Sequence, residues 1–234
     1  MKVIGIVGYR GSGKTHLGIN LSEELRRRGY TVAIVKHVQG SLDLPDKDTG
    51  LYRGHCDQLI AISEKGRTEF FEGKVNFEEV VDSLDVDFVI VEGFKEKKNF
   101  PKIVCLRKKN EEKELFLGLE IGLVGNGNFH PDKDISTIAD LVVEKAFKLP
   151  SLDCGDCGFA TCYELAREIV KGKKRVSDCT RLDQDVEVRV AGERVELNPF
   201  VSDILRKTIK GFLSGLKGFK KGKIRIKIGD GKER

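Results

Sequence analysis

At 234 residues the chain has room for one domain of about 150 residues and a smaller module beside it. Apolar residues make up 39% and charged residues 34%, which suits a globular protein, and no apolar run approaches the roughly 18 residues that a membrane-spanning helix needs. The net charge of +5 is localised: residues 206–234 hold eleven Lys/Arg against two acidic residues, which leaves about −4 on the rest. Such a tail is a solvated face or a seat for a phosphate-bearing ligand or an acidic partner. Its aromatics, Phe212 and Phe219, fall at helix-core spacing, which argues against nucleic acid. The start, MKVIGIVGYRG, is too short and glycine-rich for a signal peptide, so a cytoplasmic location is expected.

Strand signals alternate with helical ones over the first 148 residues: KVIGIV, a helix from Lys14 to Arg28, TVAIVK, QLIAIS, a helix from Phe77 to Leu84, and DFVIVEG. KIVCLR, LFLGLEIGLVG and a helix from Ile135 to Phe147 follow. Continuous apolar strands with helices between them predict a doubly wound α/β domain with a mostly parallel sheet covered on both faces. The pattern stops at Leu149-Pro150-Ser151, so the expected division is 1–149, then a cysteine segment over 150–182 and a small α+β module over 183–234. In the cysteine segment, Phe159 to Lys171 reads as a helix with Ala166 and Ile169 inward. VEVRV and ERVEL flank Ala191-Gly192 as a hairpin, an apolar-striped helix runs from Phe200 to Leu216, and KIRIKI alternates as a last strand.

Gly8 to Thr15, GYRGSGKT, fits G-x-x-x-x-G-K-[ST] between an apolar strand and an amphipathic helix, the context of a P-loop. Gly8, Gly11 and Gly13, with Ser12 among them, let backbone N–H groups curl around phosphate oxygens at a helix N-terminus. Lys14 is expected to bridge the β- and γ-phosphates and to assist catalysis, while Thr15 offers its hydroxyl to Mg²⁺. A P-loop needs an acid at the end of a neighbouring strand to hold that metal or its water. Glu92 ends VDFVIVEGF on the side where ligands of open α/β sheets gather, whereas Asp87 begins it. A long polar connection, KHVQGSLDLPDKDTGLYRGHCD over residues 36–57, leaves another strand end and carries groups suited to Mg²⁺ and phosphate, including Lys36 and Asp48. No guanine-reading N-K-x-D occurs, so motifs leave the base open.

IVGYRGSGKT, the KH pair followed by D-x-P-x-K-D, and VIVEGFK together resemble the molybdopterin-guanine dinucleotide biosynthesis protein B family, MobB, over residues 2–148. The resemblance implies a homodimer that binds GTP, hydrolyses it weakly, and assists the guanylyltransferase that joins GMP to molybdopterin. It also implies an anionic pterin cofactor and molybdoenzyme clients as partners. Gly11, Gly13, Lys14 and Thr15 carry over as nucleotide-binding, and Lys36, Asp48 and Glu92 as site residues. Where the family has a histidine-rich run after the KH pair, this chain reads VQGSL.

Four of the six cysteines lie within 26 residues as Cys154, Cys157, Cys162 and Cys179, a C-x2-C-x4-C-x16-C array. In a chain placed in the cytoplasm this spacing points to a metal site rather than a disulfide framework. Four thiolates hold either Zn²⁺ or an iron–sulfur cluster; structural zinc sites commonly pair two C-x-x-C knuckles, and the second half here has none. CGDCGFATCYELAREIVKG, ending at a distant cysteine, resembles the four-cysteine 4Fe-4S domain of electron-transfer and corrinoid-dependent proteins. Two functions follow: an accessory GTPase of molybdenum or tungsten cofactor maturation, or a redox-responsive metal-insertion module resembling ParA-like ATPases. Those ATPases carry an additional lysine early in the loop, where this chain has Tyr9 and Arg10, which favours the first.

Overall fold

The computed structural model describes all residues except 39–57, 65, 72, 74, 127–128, 183–185, 187, 191–192, 196, 220–223, 225 and 227–234. Five parallel strands form the central sheet: β1 (Lys2–Gly8), β2 (Val32–Lys36), β5 (Phe88–Glu92), β6 (Lys102–Leu106) and β7 (Glu120–Gly125), in the order β2-β5-β1-β6-β7. The strands read as unbroken apolar runs because both faces are covered. Ile4, Ile6, Phe88, Ile90, Ile103 and Cys105 point to one face, where they pack with α1 (Lys14–Arg27) through Leu17, Leu21 and Leu25 and with Ile138, Ala139 and Val142 of a helix over Ile135–Lys145. The alternate residues Val3, Val89 and Val91 pack with Phe77 and Val81 of α2 (Phe77–Ser83) and with Phe100. Val7, Val104 and Leu106 meet Leu115 of α3 (Glu112–Leu115), and the Ile135–Lys145 helix is α4. At about 1.5–3 kcal/mol for each fully buried large apolar side chain, this two-sided burial is the main source of the domain's stability.

QLIAIS does not join this sheet, contrary to expectation. As β3 (Gln58–Ser63) it pairs antiparallel with β4 (Gly66–Phe71), and Ile60 and Ile62 remain 47% and 81% exposed. A two-residue gap closes the hairpin, with Ser63 Oγ donating to the Gly66 carbonyl at 3.2 Å. β4, GRTEFF, carries too much polarity to stand out as a strand in the sequence.

The chain divides into two compact units, Met1–Cys179 and Thr180–Arg234. The cysteine segment therefore belongs to the same unit as the parallel sheet. Asn99, 2% exposed, donates from Nδ2 to the Leu149 carbonyl at 2.9 Å and accepts from the Leu149 N–H at 2.8 Å, which fixes the chain where that segment begins. Its helix, α5, spans Cys162–Val170 and not Phe159 to Lys171: Thr161 is the N-cap, its Oγ1 accepting from the Glu164 N–H at 3.3 Å. Ala166 is buried as expected, joined by Leu165, while Ile169 is only partly covered.

In the second unit, β8 (Val188–Val190) and β9 (Glu193–Val195) form the expected antiparallel hairpin. α6 (Pro199–Ser214) begins with Asn198 Oδ1 accepting from the Val201 N–H at 2.9 Å and with Pro199 in its first turn. Helix-core spacing did not place Phe212 inside, for it is 74% exposed. Most of the expected last strand, 223–228, lies outside the described residues. Among the described residues no helix is long and apolar enough to cross a membrane.

Candidate functional site: the phosphate loop and the cysteine segment

Strand order brings the first site together. β5 lies between β2 and β1, with Lys36 in register with Glu92 on one side and Ile6 with Glu92 on the other. The C-terminal ends of all three strands therefore meet at the loop that leads into α1, the edge where open α/β sheets bind ligands. Glu92 Oε1 and Oε2 accept from Thr15 Oγ1 at 3.0 and 3.1 Å. Lys36 Nζ stands 3.3 Å from Thr15 Oγ1 and 3.2 Å from Glu92 Oε1. Asp87 braces the opposite end of β5, where its carboxylate accepts from the N–H and hydroxyl of Thr31, each at 2.8 Å.

Two glycines allow the close approaches on which this geometry depends. A Cβ on Gly8 would stand 2.4 Å from Ser12 Oγ and 2.5 Å from the Cys105 carbonyl oxygen. Gly93 has φ +92°, and a Cβ there would come within 2.9 Å of His37 Cβ. His37 donates its N–H to the Glu92 carbonyl at 2.9 Å and stacks its ring on Phe94, centroids 4.7 Å apart. Lys14 folds back over the loop, Nζ donating to the Tyr9 carbonyl at 2.7 Å, and burial lowers its pKa against the opposing pull of Glu92. Cys105 lies beneath the loop, its thiol pushed up to about 12 by burial, so it stays protonated and serves as core.

The donor set fits the groups a P-loop implies. Thr15 and Glu92 offer hard oxygens side by side, with the Lys36 ammonium supplying a positive charge against both, so the pair suits a cation such as Mg²⁺. Ser12 Oγ is buried with no hydrogen-bond partner among the described residues, an orphan donor inside the loop that a phosphate oxygen satisfies. Around these, Lys95 Nζ lies 4.2 Å from the centre of the Tyr9 ring and the Arg107 guanidinium 5.3 Å from it. Arg107 also donates to the Arg10 carbonyl at 3.3 Å. The concentration of cations favours an anionic ligand.

Of the expected residues, Gly8, Gly11, Ser12, Gly13, Lys14, Thr15, Lys36 and Glu92 are thus brought together. Asp48, with the rest of residues 39–57, lies outside the described residues. Sequence reasoning missed Lys95, Arg107 and Lys102. Two of them gave a signal: Lys95 ends the VIVEGFK motif, and Arg107 is a cation just past the C-terminal end of a central strand.

Cys154 is exposed, Cys157 half-buried, and Cys162 and Cys179 are buried. Cys154, Cys157 and Cys162 form no disulfide, and Gly155 and Gly158, both at positive φ, leave open space beside the first two. The Cys162 N–H is held by Asp153 Oδ1 at 2.6 Å. Four soft thiols in one segment fit iron–sulfur or zinc chemistry. Among the described residues no three His, Cys, Asp or Glu side chains are gathered closely enough to hold a metal ion.

Comparison with known proteins agrees with both halves. The family model for Molybdopterin guanine dinucleotide synthesis protein B (MobB) matches residues 3–124, and a model described as "Putative Fe-S cluster" matches residues 149–181. The chain is 32% identical over 226 residues to a "Putative molybdopterin-guanine dinucleotide biosynthesis adapter protein" of Methanocaldococcus jannaschii, covering 93% of each. It is 30% identical over 115 residues to the molybdopterin-guanine dinucleotide biosynthesis adapter protein of Haemophilus influenzae, covering 46% of this chain and 64% of that one. The crystal structure of Bacillus subtilis MobB superposes with a TM-score of 0.52 at 20% identity, over 62% of this chain and 98% of that one, a likeness of fold. The chain belongs to the MobB family, and it carries an iron–sulfur-type cysteine domain beyond the MobB match.

Proposed function

We propose that the protein is an accessory GTP-binding protein of molybdenum or tungsten cofactor biosynthesis, a weak GTPase that assists conversion of molybdopterin to its guanine dinucleotide form. The observation that carries this is the contact of Thr15 with Glu92 beside a buried Ser12 hydroxyl that has no partner among the described residues, in a P-loop within a chain of the MobB family. Lys14 leaves the Tyr9 carbonyl for the β- and γ-phosphates, and the loop N–H groups take the remaining oxygens. Thr15 and Glu92 are the residues that would hold Mg²⁺, which when bound neutralises phosphate charge. Glu92 is also the acid best placed to orient water, so Lys14 and Glu92 are the two catalytic candidates. Lys36 shifts from Glu92 towards phosphate, with Asp48 as a further site residue. The guanylyltransferase, its anionic pterin and molybdoenzyme clients are the partners.

Cys154, Cys157, Cys162 and Cys179 would hold a 4Fe-4S cluster, with zinc as the alternative occupant; when bound, the cluster supplies one-electron chemistry. The functional assembly is a homodimer. Sedimentation that shows only the 26.1 kDa species at micromolar concentration breaks that part. The central test is competition binding in the presence of Mg²⁺. Labelled GTP is retained against an equal concentration of ATP; displacement by ATP overturns the base assignment.

A further inference from the structure

Glu92 is followed by seven residues, Gly93 to Asn99, that touch the phosphate loop at one end and the cysteine segment at the other. Gly93 donates to the Ile6 carbonyl at 3.0 Å, and Phe94, held at φ +48°, lies between the His37 and Phe77 rings with centroids 4.7 and 4.6 Å away. Lys95 covers the Tyr9 ring of the loop. Beneath them Lys102, 1% exposed, aims its ammonium at two successive carbonyls of this strap, Lys95 O at 2.6 Å and Phe94 O at 3.4 Å. Further along, Lys98 Nζ lies 4.8 Å from the ring centre of Tyr163, the residue after Cys162. That ring is held in turn by its hydroxyl, which donates to the Leu117 carbonyl at 2.6 Å, and by the Arg167 guanidinium at 5.6 Å. Asn99 then bonds Leu149, where the cysteine segment begins.

We propose that residues 93–99 are a relay through which occupancy of the phosphate loop and the placement of Cys162 control one another. This inference rests on the nucleotide reading above. A divalent cation at Thr15 and Glu92 must displace the Lys36 ammonium from both, so binding changes the contacts of the residue from which the strap departs. Phe94 is a non-glycine residue in the left-handed region, a conformation that persists only while its surroundings enforce it. Room for a second arrangement exists. A cavity of about 410 Å³ lies between Glu96, Lys97 and Lys98 on one side and Asp153, Cys162 and Tyr163 on the other. A ligand shifts such an element only through contacts that differ between its two arrangements, and the resulting coupling acts equally in both directions.

The test is hydrogen–deuterium exchange on the full chain with and without saturating Mg–GTP, read on peptides covering 93–99 and 159–171. Nucleotide should change exchange in both regions, by roughly 5-fold or more at 159–171, the low end of ordinary coupling. Lys98→Met leaves an exposed position and should keep nucleotide affinity while abolishing the response at 159–171. Lys98→Arg, which returns a cation to the ring, should restore it, and Tyr163→Leu should behave as Lys98→Met does. If nucleotide binds and 159–171 does not respond, or responds undiminished in both Lys98→Met and Tyr163→Leu, the relay is wrong and the nucleotide site stands. If no nucleotide binds at all, the nucleotide reading falls and the relay falls with it.

Discussion

Thr15, Lys36 and Glu92 lie within 3.3 Å of one another, whereas no three of Cys154, Cys157, Cys162 and Cys179 are gathered, although all belong to the same compact unit. The difference lies in what positions the side chains. The first three stand at the ends of hydrogen-bonded strands and the start of a helix, so sheet register sets their spacing. Of the cysteines only Cys162 sits on a regular element, and residues 150–161 form neither helix nor strand. A site built on a sheet binds without folding. A thiolate site on irregular chain takes its order from the metal, so that metal affinity becomes folding energy.

The largest expected effect breaks the cysteine side of that comparison. Anaerobically purified protein should be brown, with broad thiolate-to-iron absorbance near ~400 nm, and Cys157→Ala should be colourless. Stripping the metal should leave the central sheet protected and the 150–179 backbone open to proteolysis. Protein that contains one zinc and no sulfide would make this a structural zinc fold instead.

On the preorganised side, Lys14→Ala should weaken nucleotide binding by roughly 100-fold, corresponding to loss of about 3 kcal/mol of charge-assisted contact. Its unfolding midpoint should not move, because among the described residues the ammonium bonds a loop carbonyl and no core group. Unchanged affinity for both GTP and ATP would sink the P-loop assignment. Gly93→Ala sharpens the same point through the backbone. An alanine Cβ must accommodate His37 at 2.9 Å and φ +92°, so a loss of about 1–2 kcal/mol of stability is expected, with weaker nucleotide binding alongside. Wild-type stability in that variant would mean the β5 end is less tightly packed than its geometry implies.

The phosphate loop was legible in the sequence because its chemistry is local: eight consecutive residues, an apolar strand before them and a helix after. Glu92 could be chosen over Asp87 because the two stand at opposite ends of one short strand. QLIAIS was misplaced because periodicity identifies a strand without saying which strand it pairs with; its partner GRTEFF shows no apolar alternation of its own. The start of α5 moved to Cys162 because a three-residue capping contact at Thr161 outweighs helical periodicity upstream of it. Lys102 was illegible for a different reason. A lysine at the head of a strand reads as solvated, and only the tertiary packing of Phe94 and Lys95 over it turns it into a buried support.

That lysine yields the smallest and most specific effect. Burial lowers its pKa to about 8, against 10.5 for the unfolded chain. Below pH 8 both states hold the proton, and the cost of burying the charge is fully present. Between about 8 and 10.5 the unfolded chain binds more protons than the folded one, so the Lys102 contribution makes stability rise with pH and levels off above that window. Cys105, three residues along β6, acts in the opposite sense, since its folded pKa of about 12 exceeds the ordinary 9.0 and favours the folded state less as pH climbs past 9. Cys105 is common to wild type and Lys102→Met, so the difference between the two proteins isolates the lysine. Wild type should gain about 1 kcal/mol from about pH 8 to 9 relative to Lys102→Met, measured by denaturant unfolding at each pH. The Met variant also takes the ammonium from the Lys95 carbonyl, while the Phe94 carbonyl keeps the Lys97 N–H at 3.1 Å, which adds a deficit at every pH but no slope. Parallel pH profiles for the two proteins would show that the ammonium reaches water, and with it that the strap after Glu92 is not held from beneath.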